Sequence, residues 1–304
     1  MRVLATLVLA LLLAPLPGLA QAPLAPAAPM SEAERAAGIH DAWEAADKVS
    51  QDGPATIPLR DQARLALPKG MSFVPAKEAL AILRAYGNQP NLETTTGLVV
   101  GENMPWLVVV SFIKEGYVRD DDAKDWNADE LLDSLRQGTE EANRDRVRRG
   151  FPESEIIGWL APPAYDASTH RLVWALASKT KGAPASADRQ VNYNTYALGR
   201  DGYFSLNLLT TSASLPADKA VAATLLEGLT YVDGKRYADF SASTDRVAEY
   251  GLAALVGAVA AKKLGLIALV GAFVVKFAKI GIIAVAALGA GVMRFLRGGK
   301  GPSA

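Results

Sequence analysis

Apolar residues crowd both ends of this chain, and only the stretch between them has the mixed composition of a water-soluble fold. Arg2 precedes an apolar run from Val3 to Ala14; Pro15, Pro17 and Gly18 break it, and Gly18-Leu19-Ala20 supplies the small residues after which signal peptidase cuts. That run is too short for a span, which takes about 20 residues. Residues 1–20 are therefore expected to be a secretory signal peptide and 21–30 an Ala/Pro linker. An uncleaved amphipathic anchor is the alternative, but nothing polar marks a second face. The chain has no cysteine, which rules out a lipoprotein, disulfides, thiolate metal sites and thiol nucleophiles.

At the other end, three apolar runs, Gly251–Ala261, Leu264–Val275 and Ile280–Met293, are separated by Lys262, Lys263, Lys276 and Lys279. A lysine at the centre of a span costs about 2.5–3.5 kcal/mol. The best transmembrane helix is therefore 277–295, with its lysines at one edge and Arg294, Arg297 and Lys300 at the other, where long side chains reach the headgroups. Residues 246–276 read as a membrane-proximal amphipathic helix. Lys262 and Lys276 share one side, Lys263 and Lys279 flank it, and the opposite side is apolar. A two-helix hairpin is the alternative, and it buries two adjacent lysines mid-membrane. Residues 296–304 would then be a cytoplasmic tail, with the domain on the outer side.

The formal net charge of zero averages two unlike parts. Residues 1–20 and 251–304 carry one and seven basic residues and no acid, so 21–250 hold 24 basic against 32 acidic residues, a net of −8. An acidic exported domain is a poor match for nucleic acid. The basic C-terminal segment suits anionic lipid headgroups instead. The domain, 31–245, is long enough for one sizeable core.

Periodicity and punctuation predict an α+β fold, a largely antiparallel sheet with helices packed on one face. Ser31 and Glu34 form a capping box for a first helix with Ile39, Trp43 and Ala46 as its narrow apolar stripe. Short extended pieces follow at Ala55–Leu59, Ala63–Leu67 and Ser72–Val74. Pro75 opens a helix that Gly87 stops, and Gly97–Val100 and Trp106–Ile113 read as strands. Asn127 caps the central helix, with Leu131, Leu132, Leu135 and Ala142 as its apolar side and Gly150 at its stop. A meander comes next: Glu155–Leu160, Leu172–Ser178, Gln190–Leu198 and Tyr203–Thr211, the last two joined by the turn Gly199-Arg-Asp-Gly202. Pro216 then starts a helix through Val221 and Leu225 that ends near Gly228.

Alternation puts Val191, Tyr193, Thr195, Ala197, Phe204, Leu206 and Leu208 on one side of the last hairpin. Asn192, Asn194, Tyr196, Ser205 and Asn207 fall mainly on the other, where amides and phenols suit sugars or extended peptides. An ordinary solvated sheet face is the competing reading. Of the two histidines, His170 sits beside Asp166 and Ser168, but three groups within five residues of a turn do not converge as a triad. His170 is expected to hydrogen-bond its turn, and His40 to be inert. Asp120-Asp-Asp122 with Asp125 offers oxygens to a hard cation but lacks the spacing and glycine of a calcium loop. No Walker loop, dinucleotide fingerprint, zincin helix or nucleophile elbow is present, so no cofactor, metal or catalytic residue is assigned.

Several strings here are long and unusual: Gly116-Tyr-Val-Arg-Asp-Asp-Asp-Ala123, Gly138-Thr-Glu-Glu-Ala-Asn-Arg144, Gly158-Trp-Leu-Ala-Pro-Pro-Ala-Tyr-Asp166, Thr169-His-Arg-Leu-Val-Trp-Ala175 and Gly234-Lys-Arg-Tyr-Ala-Asp-Phe240. With Asn192-Tyr-Asn194 and Ala197-Leu-Gly-Arg200 they resemble a bacterial family, domain of unknown function 2167, described as predicted membrane-anchored proteins. The Lys179–Arg189 loop is longer and richer in Ala and Pro than the family suggests. The resemblance implies a leader–domain–anchor layout and transfers no catalytic residue. The expectation is a single-pass protein of the bacterial inner membrane with a periplasmic domain, acting as a non-enzymatic module that binds an envelope protein or glycan. One alternative is an envelope-directed hydrolase, using His170 or paired acids among Asp120, Asp122, Glu140 and Glu141. A membrane-stress or lipid sensor working through Lys262 and Lys263 is the other.

Overall fold

The helices begin at a capping side chain or at a proline. The computed structural model describes residues 31–256 apart from 103, 124 and 125. Helix α1 (Glu32–Asp47) starts at Ser31, whose hydroxyl accepts from Glu34 N at 3.2 Å while Ser31 N donates to the Glu34 carboxylate at 2.7 Å. Helix α2 (Ala76–Ala85) follows Pro75 and stops at Gly87, which takes φ +82°. Asn127 caps α3 (Ala128–Arg148), accepting from Asp129 N at 2.9 Å and Glu130 N at 3.3 Å. Helix α4 (Leu215–Gly228) carries Pro216 in its first turn. The apolar C-terminal stretch opens as α5 (Leu252–Val256), and its cap comes from far away in sequence. Asp122 accepts from Leu252 N at 2.9 Å and Ala253 N at 3.2 Å.

The strands are β1 (Gln51–Asp52), β2 (Ala55–Leu59), β3 (Ala63–Leu67), β4 (Met71–Pro75), β5 (Thr95–Gly101), β6 (Leu107–Ile113), β7 (Ser154–Asp166), β8 (Arg171–Thr180), β9 (Gln190–Leu198), β10 (Tyr203–Thr211) and β11 (Leu229–Tyr231). Eight form an antiparallel sheet in the order β1-β4-β5-β6-β10-β9-β8-β7; β11-β3-β2 form a small second sheet. The α+β class and the large antiparallel sheet agree with the sequence. Strand β7 runs well past the expected Leu160, through Pro162 and Pro163. It can do so because it is an edge strand, where a missing N–H breaks no second ladder. Its pairing to β8 slips three times, between Ile156 and Ala164.

Helices confined to one face is a correction: the large sheet is covered on both. On the first face Val108, Val110, Phe112, Phe204, Leu206, Leu208, Val191 and Tyr193 join Leu225 and Leu226 of α4 and Leu59, Leu65 and Leu67 of the small sheet in one core. On the second, Leu98, Val100, Leu107, Val109 and Leu209 pack beneath α1 and α2. Leu172, Trp174 and Leu176 pack against Leu131 and Leu132 of α3. The physical reason lies in the strands. Six of the seven residues of β6 are buried, on both faces of the strand, which demands two covers rather than one. Ala142, expected on the apolar side of α3, is exposed; Thr139, Asn143 and Arg146 take the buried positions instead. Arg146 tolerates this because Pro152 O and Gly87 O accept from its guanidinium, at 2.9 and 3.4 Å.

Residues 241–256 form a strap across the domain. Asp245 takes two hydrogen bonds from Arg200, both at 2.7 Å. Val247 bridges Tyr117 through Tyr117 N to Arg246 O at 2.8 Å and Ala248 N to Tyr117 O at 2.9 Å. Leu252, Leu255 and Val256 are buried against Val118, Leu131, Tyr203 and Tyr237. Among the described residues no helix is long and apolar enough to cross a membrane. The expected leader, linker, interfacial helix beyond Val256, span 277–295 and tail all lie outside the described residues, as do Lys262, Lys263, Lys276, Lys279, Arg294 and Arg297.

Candidate functional site

Three polar side chains from two parts of the chain meet beside the strap. The Tyr165 hydroxyl, near the end of β7, donates to Asp120 Oδ2 at 2.7 Å and lies 3.1 Å from His170 Nδ1; that nitrogen is 3.7 Å from the same carboxylate oxygen. The phenol's proton goes to Asp120, so its oxygen accepts from His170 Nδ1–H. No described residue hydrogen-bonds Nε2. Burial, with the Asp120 hydrogen bond behind it, holds the Tyr165 phenol well above its usual range. Tyr165 is therefore a fixed donor and not a nucleophile.

Rings continue the site on one side. His170 lies 4.1 Å from Tyr237, a residue of a short 3-10 helix (Tyr237–Asp239), and Tyr117 is stacked between Tyr237 at 4.4 Å and Phe240 at 3.9 Å. Tyr237 is pinned by its hydroxyl, which donates to Val118 O at 2.9 Å. His170 itself takes φ +53°, a left-handed conformation that costs a side-chain-bearing residue about 1–2 kcal/mol. A glycine or asparagine would serve the turn better. The chain thus carries a strained histidine, held through Nδ1 against Tyr165 and Asp120, on a side chain that is partly exposed.

Within the turn the hydroxyls gather on Asp166, while His170 bonds across it to Tyr165. Asp166 accepts from Ser168 N at 2.9 Å, Ser168 Oγ at 2.6 Å and Thr169 Oγ1 at 2.8 Å. As the spacing indicated, Ser168, His170 and Asp166 form no triad; the histidine's partner is Tyr165, across the turn. Those hydroxyl hydrogen bonds hold the Asp166 carboxyl down at about 2. A depressed carboxyl stabilises the fold above its unfolded value of about 3.9 and loses that effect as pH falls through the folded value. The stability difference between the parent and Asp166→Asn is accordingly expected to shrink as pH drops from about 4 towards about 2. Urea midpoints of both proteins across that range check this; a constant difference would show that Asp166 does not titrate with the fold.

The paired acids do not converge. Asp122 caps α5, while Glu140 and Glu153 share Lys181 at 3.1 and 3.2 Å. Asp120 and Asp122 point to different partners, so the acidic loop does helix and site work and offers no common cation position; Asp125 lies outside the described residues. Exposed His40, Asp41 and Glu44 lie near one another on α1, and Glu44 already takes Lys48 at 2.8 Å.

Asn192, Asn194, Tyr196, Ser205 and Asn207 do share a face, with Asn194 opposite Asn207 and Tyr196 opposite Ser205. The expected openness of that face is a correction: Asn192, Asn194 and Asn207 are buried and Tyr196 and Ser205 half-buried. They lie between the apolar patches under α1–α2 and under α3, which alternation along a strand cannot reveal. Asn207 Nδ2 donates to Asn192 Oδ1 and Asn194 Nδ2 to Asn192 O, both at 3.3 Å, and burial pushes the Tyr196 phenol up to about 12. A shallow groove of about 310 Å³ is lined by Ala164, Tyr165, Asp166, Thr169, Arg171, Val173 and Leu226. Its guanidinium is already tied to Leu226 O at 3.0 Å.

Sequence reasoning named His170 and Asp120 separately and missed Tyr117, Tyr165, Tyr237 and Phe240. Each of those four does sit in one of the unusual strings, and a tyrosine recurring in such strings was the available signal.

A family model described as protein of unknown function (DUF2167) matches residues 51–289. No curated protein matches the chain. Among solved structures, the solution structure of cyanobacterial PsbP (CyanoP) from Synechocystis is similar at 11% identity and a TM-score of 0.36, over 60% of this chain and 91% of that one.

Proposed function

We propose, given that the chain belongs to the DUF2167 family of proteins of unknown function, that it is a non-enzymatic envelope module held at a membrane by its C-terminal segment. The observation that carries this reading is the seating of α5. Residues 252–256, the start of the apolar stretch, pack into the domain: Asp122 caps their first turn and Leu252 is fully buried. A domain built around the root of an apolar segment is positioned by it.

In this reading the leader 1–20 exports the domain to the periplasm, residues 277–295 span the inner membrane, and Lys262, Lys263, Lys276, Lys279, Arg294 and Arg297 meet anionic headgroups. The protein or glycan partner binds at the His170 site, not at the buried asparagines. One observation favours binding over hydrolysis: Asp120 lies beside His170, whereas Asp122 caps α5 and Glu140 pairs with Lys181, so these acids do not gather around the histidine. The acidic domain is no partner for nucleic acid.

In-cell crosslinking of the full chain, followed by membrane purification, tests this. The expected result is a membrane-bound protein with one reproducible partner, protein or glycan, that His170→Gly and Asp120→Asn both lose. His170→Gly relieves the left-handed backbone, so its stability should stay within about 1 kcal/mol of the parent. A chain recovered outside the membrane fraction, or a partner retained by both variants, would sink the proposal.

A further inference from the structure

We propose that the loop 116–122 couples the Asp120–Tyr165–His170 site to the seating of α5, so that occupying the site changes how firmly the membrane segment is held. This rests on the reading that the segment beginning at α5 is the membrane attachment.

One short stretch of chain is gripped from two sides. From the site side, Tyr117 is clasped between Tyr237 and Phe240, Val118 O accepts from Tyr237, and Asp120 accepts from Tyr165. From the strap side, Tyr117 exchanges backbone hydrogen bonds with Arg246 and Ala248, and Asp122 caps Leu252 and Ala253. Two glycines remove the slack. A Cβ on Gly116, which takes φ +92°, would overlap Arg246 O, and a Cβ on Gly251 would overlap the Asp122 carboxylate. Asp120 and Asp122 are two residues apart, so a displacement that draws the first towards a ligand carries the second away from the α5 amides.

The strap's other fastening, Arg200 to Asp245, is independent of this loop. It leaves residues 246–256 as the part that can release. Release is not prohibitive for a membrane-held chain. Lipid tails are about as apolar as a leucine-rich core, so Leu252, Leu255 and Val256 exchange one apolar surrounding for another. The balance between seated and released then falls to the Asp122 cap and the contacts of loop 116–122. Those are the groups the site shares.

The test uses the full chain in nanodiscs, with amide hydrogen exchange read residue by residue. Asp120→Asn and Tyr165→Phe each perturb the site without touching the cap. Both are expected to speed exchange at Leu252 and Ala253 by at least about fivefold, the lower end of ordinary coupling between sites. Because coupling is reciprocal, Asp122→Asn should shift the ring signals of His170. Leu206 and Leu208 in β10 report global opening and are expected to keep their rates. Unchanged exchange at Leu252 and Ala253, in variants whose His170 ring signals have moved, would overturn the coupling; so would an equal rise at the β10 amides. Neither readout involves a partner, so a failure here is distinct from a failure to capture one.

Discussion

A fragment that stops at residue 248 is expected to unfold at a much lower urea concentration than one that continues to residue 256. The shorter fragment lacks Leu252, Leu255 and Val256, whose exposures are 0%, 7% and 3%. Full burial of such side chains is worth about 1.5–3 kcal/mol each. After allowance for a compact unfolded chain and a fraying end, the loss is about 4–6 kcal/mol. Removing them also uncovers Val118, Tyr203 and Tyr237 and leaves Asp122 without its helix. Domains of this size are held by about 5–15 kcal/mol, so the shorter fragment should sit near the edge of folding. Paired urea titrations decide the matter. Equal midpoints would mean that α5 is an ornament on the domain, and the case for a built-in membrane root would go with it.

Phe204→Ala is expected to cost about 3–5 kcal/mol. Phe204 is fully buried at the centre of the large sheet, paired to Phe112 of β6 on one side and Ala197 of β9 on the other. Its ring lies 4.8 Å from that of Phe112 and 5.6 Å from that of Tyr231, which sits in the small sheet. The substitution empties the junction of three layers, and surrounding strands fixed by ladder hydrogen bonds cannot close over it. The measurement is the shift in urea midpoint at unchanged slope. A loss below about 1.5 kcal/mol would imply that the layers collapse into the space and that the core is looser than its burial suggests.

What the sequence carried legibly was local. Asn127, Gly87, Pro216 and the Gly199–Gly202 turn each announce themselves through backbone chemistry within a few residues, and the elements start and stop where those residues say. Which hairpin residues share a face was equally readable, because side chains alternate whatever covers them. Whether Asn194 and Asn207 meet water was not, because burial depends on other elements laid over the sheet. The same limit explains the one-faced sheet that became two-faced, and β7, where two prolines suggested an end that an edge position does not require. The candidate site lay furthest from view. Tyr165 finds Asp120 across 45 residues, and Tyr237 finds Val118 across 119. Asp120 carries no sign of such a partner in its own neighbourhood, although His170 has Tyr165 only five residues away.

The interrupted pairing along β7 also bears on how this protein meets others. A sheet of eight strands has two borders, and at one of them β1 is only two residues long. The other is β7, where two prolines withhold amide donors and three slips in register throw the remaining ones out of line. A neighbouring chain in a crowded compartment finds no straight row of backbone groups on which to lay a strand. Fibrous stacking through this border is disfavoured, and so is recognition by strand addition. Whatever binds here has to be recognised by side chains.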